Sequence, residues 1–553
     1  MRLIYMLTLF LIFVRNHIIM KHFFSVIFLL TASLVSQAEV KLPSILDNGM
    51  VIQREKPIEV WGWADAGESF TINWKDSAYF ITAGNDGRWQ VTLPPSPAGG
   101  PYVMTIADIT LQDILIGDVF LCTGQSNMEL PIRRVTDMFA EEVAAYENNQ
   151  IRQYIVPDTY NFIAPQEDTP KSFWKGCTRE NVMEFSALAY FYAKSIYSQT
   201  GVPVGIVNCC WGGTPVEAWT SEEALKDFPR HINEKRLYED PGYCQRIKTL
   251  EGENFHLWNK ALHAGDPGMK ESVKWFEQDY DDSNWPEVEM FSRDWGNDGL
   301  NPQAGSHWLR KDITIPEGWD GKEAVIRLGC IVDADSVYVN GHFVGTTSYQ
   351  YPPRIYRIPK GILKKGANNI TVRIISNGGQ PHFVQEKPYR IICGENEISL
   401  EGNWKYHLGA PMPKAPSMMF FCYKPVCLYN AMIHPLKNLK FTGVLWYQGE
   451  SNVDSRNEYA DLLTAMIGCW RQTFNDQQLP FYIVELADFL HKDDVRGRAA
   501  WAEMRVQQAK AAQMNTNTKL IRNSDLGEWN DIHPLDKKTL GNRAAEATLK
   551  DMK

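Results

Sequence analysis

Two kinds of hydrophobic pattern divide the chain. Between 39 and 110, short segments rich in β-branched and aromatic residues (58–63, 69–74, 79–82, 89–93, 102–106) are separated by turn-forming clusters: Asp65-Ala66-Gly67, Gly84-Asn85-Asp86-Gly87 and 94–101. Such runs predict short strands, and their spacing predicts a small N-terminal β-sandwich over 39–111. From about 112 the apolar runs become nearly continuous: 114–122, interrupted only at Gly117-Asp118, then 204–210, 443–447 and 481–486. Helical patterns at 187–199 and 457–473 lie among them. Strands that are apolar on both faces and alternate with helices predict a parallel sheet covered on both sides.

A third pattern interrupts the second. Residues 270–390 return to β segments, at 308–315, 323–328, 334–339, 354–358 and 369–375, with the hairpin signal Val339-Asn340-Gly341-His342. A β domain inserted in an α/β domain accounts for this, since insertion at a surface loop costs little closure entropy. The expected organisation is 39–111, then 112–265 and 391–553 as one discontinuous α/β unit, with 266–390 inserted. A chain of 553 residues is in any case too long for one core.

The N-terminus carries two apolar runs, 3–14 and 23–35. The second follows Lys21 and precedes Ser36-Gln37-Ala38, the order of a cleaved secretory signal over 1–38, with Met20 as an alternative start. A membrane anchor is the rival reading, but neither run reaches the ~20 residues that span a bilayer. The expectation is a secreted or periplasmic protein with no stable membrane span after cleavage. Removing 1–38 takes away Arg2, Arg15 and Lys21 and no acidic residue, so the net charge moves from −10 to −13. An acidic chain without basic clusters excludes nucleic acid as the expected partner. Export permits disulfides, yet the 10 cysteines form no framework whose pairing can be read. Cys209-Cys210, inside an apolar run, point to at least one packed thiol. No Cys/His cluster has metal-ligand spacing, so neither metal nor cofactor is expected.

Four segments could carry chemistry. The run 117–122 leads through Thr123-Gly124-Gln125 into Ser126 and a predicted helix; a serine there sits at a strand's C-terminal end, where open α/β sheets place ligands. Its N–H, near a helix N-terminus, suits an oxyanion, although a helix N-cap is the plain alternative. The strand 204–210 ends in Trp211-Gly212-Gly213, whose glycines allow close backbone approach. The strand 443–447 ends in Gln448-Gly449-Glu450-Ser451-Asn452, offering an amide donor and an acid. Last comes Asn530-Asp531-Ile532-His533-Pro534, with a late histidine beside an acid. Nucleophile, oxyanion donors and base are what acyl transfer requires.

These segments carry a family resemblance. Gly124-Gln125-Ser126-Asn127-Met128, Trp211-Gly212-Gly213, Trp446-Tyr447-Gln448-Gly449-Glu450-Ser451-Asn452 and Asp531-Ile532-His533-Pro534 resemble the four blocks of the sialate O-acetylesterase branch of SGNH hydrolases. Acetylxylan esterases share related blocks. Residues 47–54 and 60–64 look like this family's N-terminal β domain, and 334–344 resemble the galactose-binding-like jelly rolls of glycoside hydrolases. The resemblance implies an SGNH-hydrolase-like α/β sheet flanked by helices, with an inserted β jelly roll. It implies Ser126 as nucleophile, His533 as base, and the Ser126 N–H, Gly213 N–H and Gln448 side chain as oxyanion donors. In the wider superfamily the acid stands three residues before the histidine. Here that position is Asn530, which leaves Asp531, Asp525, Glu528 or a backbone carbonyl as the orienting group, with Asp531 taken as the acid.

The expected substrate is an acetylated glycan or sialic acid. Arg133 and Arg134 are candidates for a sialate carboxylate, and Trp211 and Glu450 for other substrate contacts. Two other classes compete. A glycoside hydrolase would pair two of Glu217, Glu450 and Glu528. A non-catalytic glycan binder would stack sugars on Trp275, Trp285 and Trp308, for which 18 Trp and 23 Tyr supply ample material.

Overall fold

The computed structural model describes residues 39–553 except 293 and 296–302. The secretory segment expected over 1–38 lies outside the described residues. The fold is mixed α/β, built on one large mixed sheet and several smaller ones. Its spine is the strand Ile109–Gly124. The first part pairs antiparallel with Gly99–Ile106, and its middle pairs parallel with Val51–Gln53. The second part pairs parallel with Val204–Cys210 on one side and Gly443–Tyr447 on the other. The expected boundary at 111/112 is thereby corrected: one continuous strand serves both the N-terminal β segments and the α/β sheet, because the polypeptide stays extended while its partners change.

Beyond the spine the sheet runs Thr518–Ile521, Phe481–Val484, Gly443–Tyr447, Ile109–Gly124, Val204–Cys210, Asn148–Ile155, Trp174–Cys177. All these pairings are parallel except the last. Every residue of Val204–Cys210, Gly443–Tyr447 and Phe481–Val484 is buried, as their unbroken apolar runs require. Helices Ala187–Thr200 and Lys537–Asp551 pack together. At their crossing Gly541 lies so close to Phe191 and Tyr192 that a Cβ there would meet both at 2.8 Å. Tyr459–Thr473 and Val495–Met514 form a second helical pair.

The inserted β region has its own core, around Trp295, Leu309, Val372 and Trp404. Its larger sheet is antiparallel, in the order Glu287–Glu289, Asn403–Pro411, Gly305–Ile315, Gly366–Ser376, Ala334–Val339, His342–Thr347. The hairpin at Asn340-Gly341 has both central residues at positive φ (50° and 81°), as a two-residue reverse turn demands. A smaller sheet orders Ile355–Ile358, Ala324–Leu328, Tyr389–Cys393, Asn396–Ser399. The expected end of the insert at 390 is therefore corrected: strands as late as Asn403–Pro411 pair with strands of the inserted region. All ten cysteines are free and buried.

Candidate active site

Three strand ends share one level. Gly124 is in register with Cys210 on one side and Tyr447 on the other. The three segments that follow, at Ser126, at Gly212-Gly213 and at Gln448, thus leave the sheet at the same height, where open α/β sheets bind ligands. Ser126 is the first residue of the short helix Ser126–Glu129, so its N–H lies among those with no carbonyl of the helix to bond. The N-cap is Gln125, without a side-chain bond, so Ser126 is not the cap. Gly212 passes directly over it: a Cβ on Gly212 would lie 3.4 Å from the Ser126 Cβ and 3.1 Å from a Glu129 carboxylate oxygen. Gly213 turns at φ 76°, and a Cβ there would meet the Tyr423 hydroxyl at 2.0 Å. Only glycine fits this turn.

His533 completes the pair. Its Nε2 lies 2.8 Å from the Ser126 Oγ, across 407 residues of sequence. Burial, together with Lys537 and Arg134, lowers the imidazole pKa to about 3. The ring is therefore neutral at ordinary pH and can accept a proton at Nε2. The Tyr351 ring, from the inserted region, meets it edge-on at 5.2 Å.

The orienting side is less direct. Asp531 Oδ1 accepts the His533 backbone N–H at 2.9 Å and lies 3.9 Å from Nδ1. Nδ1 itself is buried without a hydrogen-bond partner. Of the alternatives, Asp525 is held by Arg543 at 2.7 and 2.8 Å, and Asn530 donates to the Gln385 carbonyl at 2.7 Å. Glu528 accepts the Leu535 N–H at 2.8 Å and the Lys387 ammonium at 2.8 Å. Asp531 is the carboxylate that stands beside the imidazole.

A polar brace beneath the pair escaped the sequence reading. Asn127 donates from Nδ2 to Glu450 Oε1 at 2.6 Å and to the Ile532 carbonyl at 2.9 Å, and its Oδ1 accepts from Lys537 Nζ at 2.7 Å. One amide thus ties the Ser126 turn to the Glu450 turn and to the histidine loop. The buried Lys537 is lowered to about 8 and the enclosed Glu450 carboxyl is raised, both by desolvation first. The signal for this was Asn127 within the quoted serine motif, but its partners lie hundreds of residues away.

Several expected contacts are corrected. Gln448 does not present a free amide: Nε2 donates to the Thr214 carbonyl at 3.2 Å and to Asn452 Oδ1 at 2.8 Å, while Oε1 accepts from Tyr459. Both amide hydrogens are spent holding the glycine turn, so the side chain is a brace and not an oxyanion donor in this structure. Glu450 is likewise turned to Asn127 and not to a substrate. Arg133 is ion-paired with Glu184 on the surface. Arg134 donates to the Tyr351 carbonyl at 3.2 Å, fastening the inserted region to the esterase side. Trp275, Trp285 and Trp308 are buried together in a cluster of their own, so they are packing residues and offer no stacking face. Glu217, bonded to Asn452 at 2.9 Å, Glu450 on Asn127 and Glu528 on Lys387 serve separate networks and form no facing pair. Trp211 stands at the glycine turn, half-buried, with Tyr160 at 6.3 Å.

Residues the sequence did not single out also stand near Ser126. Glu129 accepts from the Gly212 N–H; desolvation first and then Asp158 raise it to about 7, and Asp158 itself is raised to about 6 by desolvation. Tyr351 and Tyr423 supply aromatic walls.

Comparison with known proteins bears on the fold and the activity. The family model for carbohydrate esterase, sialic acid-specific acetylesterase, matches residues 116–250 and 419–550, the two segments that flank the inserted β region. The sialate O-acetylesterase of Rattus norvegicus is 22% identical over 546 residues, covering 91% of this chain and 72% of its own. That of Homo sapiens is 28% identical over 262 residues, covering 43% of this chain and 48% of its own. A solved carbohydrate acetylesterase from Xanthomonas citri superposes with a TM-score of 0.54 at 24% identity, over 92% of this chain and 74% of that one, and so shares the fold. The two segments matched by the family model hold Ser126 and His533, so the chain is similar to the carbohydrate esterase, sialic acid-specific acetylesterase family and is a carbohydrate O-acetylesterase.

Proposed function

We propose that the enzyme hydrolyses O-acetyl esters of sialic acid through an acetyl-serine intermediate, with Ser126 as nucleophile and His533 as base. The observation that carries this reading is the 2.8 Å contact between Ser126 Oγ and His533 Nε2. Oγ attacks the acetyl carbonyl carbon as its proton passes to Nε2. The carbonyl oxygen becomes an oxyanion, met by the Ser126 and Gly213 N–H groups, each donor worth about 3 kcal/mol in the transition state. The carbon–oxygen bond to the sugar breaks and Nε2 returns the proton to the sugar oxygen. Water then attacks the acetyl-serine and gives a proton to Nε2. The acyl–Oγ bond breaks, acetate leaves, and Oγ recovers its proton.

The substrate reading rests on the sialate O-acetylesterases among the relatives. Acetylated xylan is the alternative that the shared blocks keep open. The α/β sheet is read as SGNH-type, the inserted β region as a galactose-binding-like jelly roll, and the protein as secreted or periplasmic. No helix among the described residues is long and apolar enough to cross a membrane. Acetate release from O-acetylated sialic acid and from acetylated xylan, by parent and Ser126→Ala protein, tests the proposal. Full activity in Ser126→Ala removes the mechanism; preference for xylan acetate removes the substrate.

A further inference from the structure

The inserted β region touches the histidine loop through charge. Lys387 stands two residues before the strand Tyr389–Cys393. Its ammonium donates to Glu528 Oε2 at 2.8 Å and to Asp531 Oδ2 at 3.2 Å. The remaining oxygens of those carboxylates hold the loop from within: Glu528 Oε1 takes the Leu535 N–H, and Asp531 Oδ1 takes the His533 N–H. Neighbouring bonds fasten the same stretch, from Trp529 to Glu386 at 2.8 Å and from Asn530 to the Gln385 carbonyl at 2.7 Å. Lys387 is half-buried, and its side chain is only 11% exposed, so the pair is not an incidental surface contact.

We propose that Lys387 is a positioning residue for the base: it pins the Asp531 carboxylate beside His533 and, by sharing that carboxylate, sets how strongly it acts on the imidazole. The proposal rests on the Ser126–His533 reading above. The groups facing the imidazole are Asp531 and Lys537 from its own segment, Arg134 from the segment after Ser126, and Tyr351 from the insert. Among these, Asp531 is the anion 3.9 Å from the unpartnered Nδ1. Lys387 holds its other oxygen away from the ring. Without that ammonium, the nearest unsatisfied donor for the carboxylate is the Nδ1–H. Asp531 then swings toward it, and the protonated imidazole is favoured.

The test is the pH dependence of kcat/KM for Lys387→Met, with Lys387→Arg as the conservative variant and Arg327→Ala as a control. Arg327 pairs with Asp137 across the same boundary. In Lys387→Met the acid limb moves up by about one pH unit. In Lys387→Arg most of that change is recovered, and Arg327→Ala keeps the parent's limb. A Lys387→Met protein whose limb does not move overturns the proposal, whether or not its rate falls, because loss of rate alone is what loosened docking would give. If that protein does not fold, Lys387→Gln, which keeps length and a donor, is read in the same way. Ser126→Ala activity separately decides the underlying mechanism, so failure of one is not failure of the other.

Discussion

The Asn127 side chain spans from Glu450 to Lys537, with 2.6 Å to the carboxylate and 2.7 Å to the ammonium. Asn127 follows Ser126 directly, and its other bond reaches the carbonyl of Ile532, the residue before His533. Opposite charges are thus joined through a neutral amide that donates to one and accepts from the other, the only polarity that satisfies both.

Replacing Asn127 by Leu keeps the volume and removes every bond. Glu450 and Lys537 are then left enclosed without that partner, and the histidine loop loses its tie. Stability falls by about 2–3 kcal/mol, and kcat falls more than KM rises. Urea unfolding and steady-state kinetics on p-nitrophenyl acetate measure both. Asn127→Leu with parental stability and rate contradicts the bracing role.

The imidazole lowered to about 3 fixes the sign of the pH response. Unfolded histidine titrates near 6.5, so native His533 binds fewer protons between these values. Its stabilising contribution is present above pH 6.5 and is lost progressively as pH falls toward 3. Activity follows the neutral ring, so the acid limb of kcat/KM lies well below 6.5. A limb at 6.5 or above contradicts this.

Gly213→Ala places a methyl against the Tyr423 hydroxyl and forces alanine to φ 76°. The conformation costs ~1–2 kcal/mol, and the displaced N–H lowers kcat about 10²-fold. Adding Tyr423→Phe removes the clash but not the strained φ, so rescue is partial. Complete rescue would show that sterics alone mattered.

The ten free cysteines make a direct chemical prediction. Protein denatured without reductant titrates ten thiols, and reductant leaves the melting temperature unchanged. Fewer thiols would reveal pairing.

Lys537, lowered to about 8, contributes in the opposite sense to a surface lysine. Between pH 8 and about 10.5 the unfolded chain binds more protons at this site, so stability rises with pH there. Lys537→Met removes that slope in urea midpoints taken across the range.

Local pattern determined a great deal here. Val204–Cys210, Gly443–Tyr447 and Ala334–Val339 coincide with segments legible as apolar or alternating runs, because strand burial is written in side-chain polarity. Asn340-Gly341 was legible as a hairpin turn because few residues tolerate two positive φ angles. Ser126 and His533, which the structure brings within 2.8 Å, were legible as candidates because the residue types acyl transfer needs are few, with Ser126 standing just past a strand end and His533 beside an acid. The helix Val495–Met514 was not, since its polar and apolar residues leave little periodic contrast.

What the sequence alone determined was many of the extended stretches, some of the helical ones, and the candidate residue types for ester hydrolysis. Tertiary structure decided who meets whom: that Gln448 spends its amide on Thr214, that Asn127 joins three loops, that Lys387 reaches Asp531 from another sheet, and that the insert runs to Pro411. Those contacts link positions hundreds of residues apart, and a hydrogen bond depends on ångström-scale placement. Polarity along a chain records whether a side chain is buried, but not which partner waits for it there.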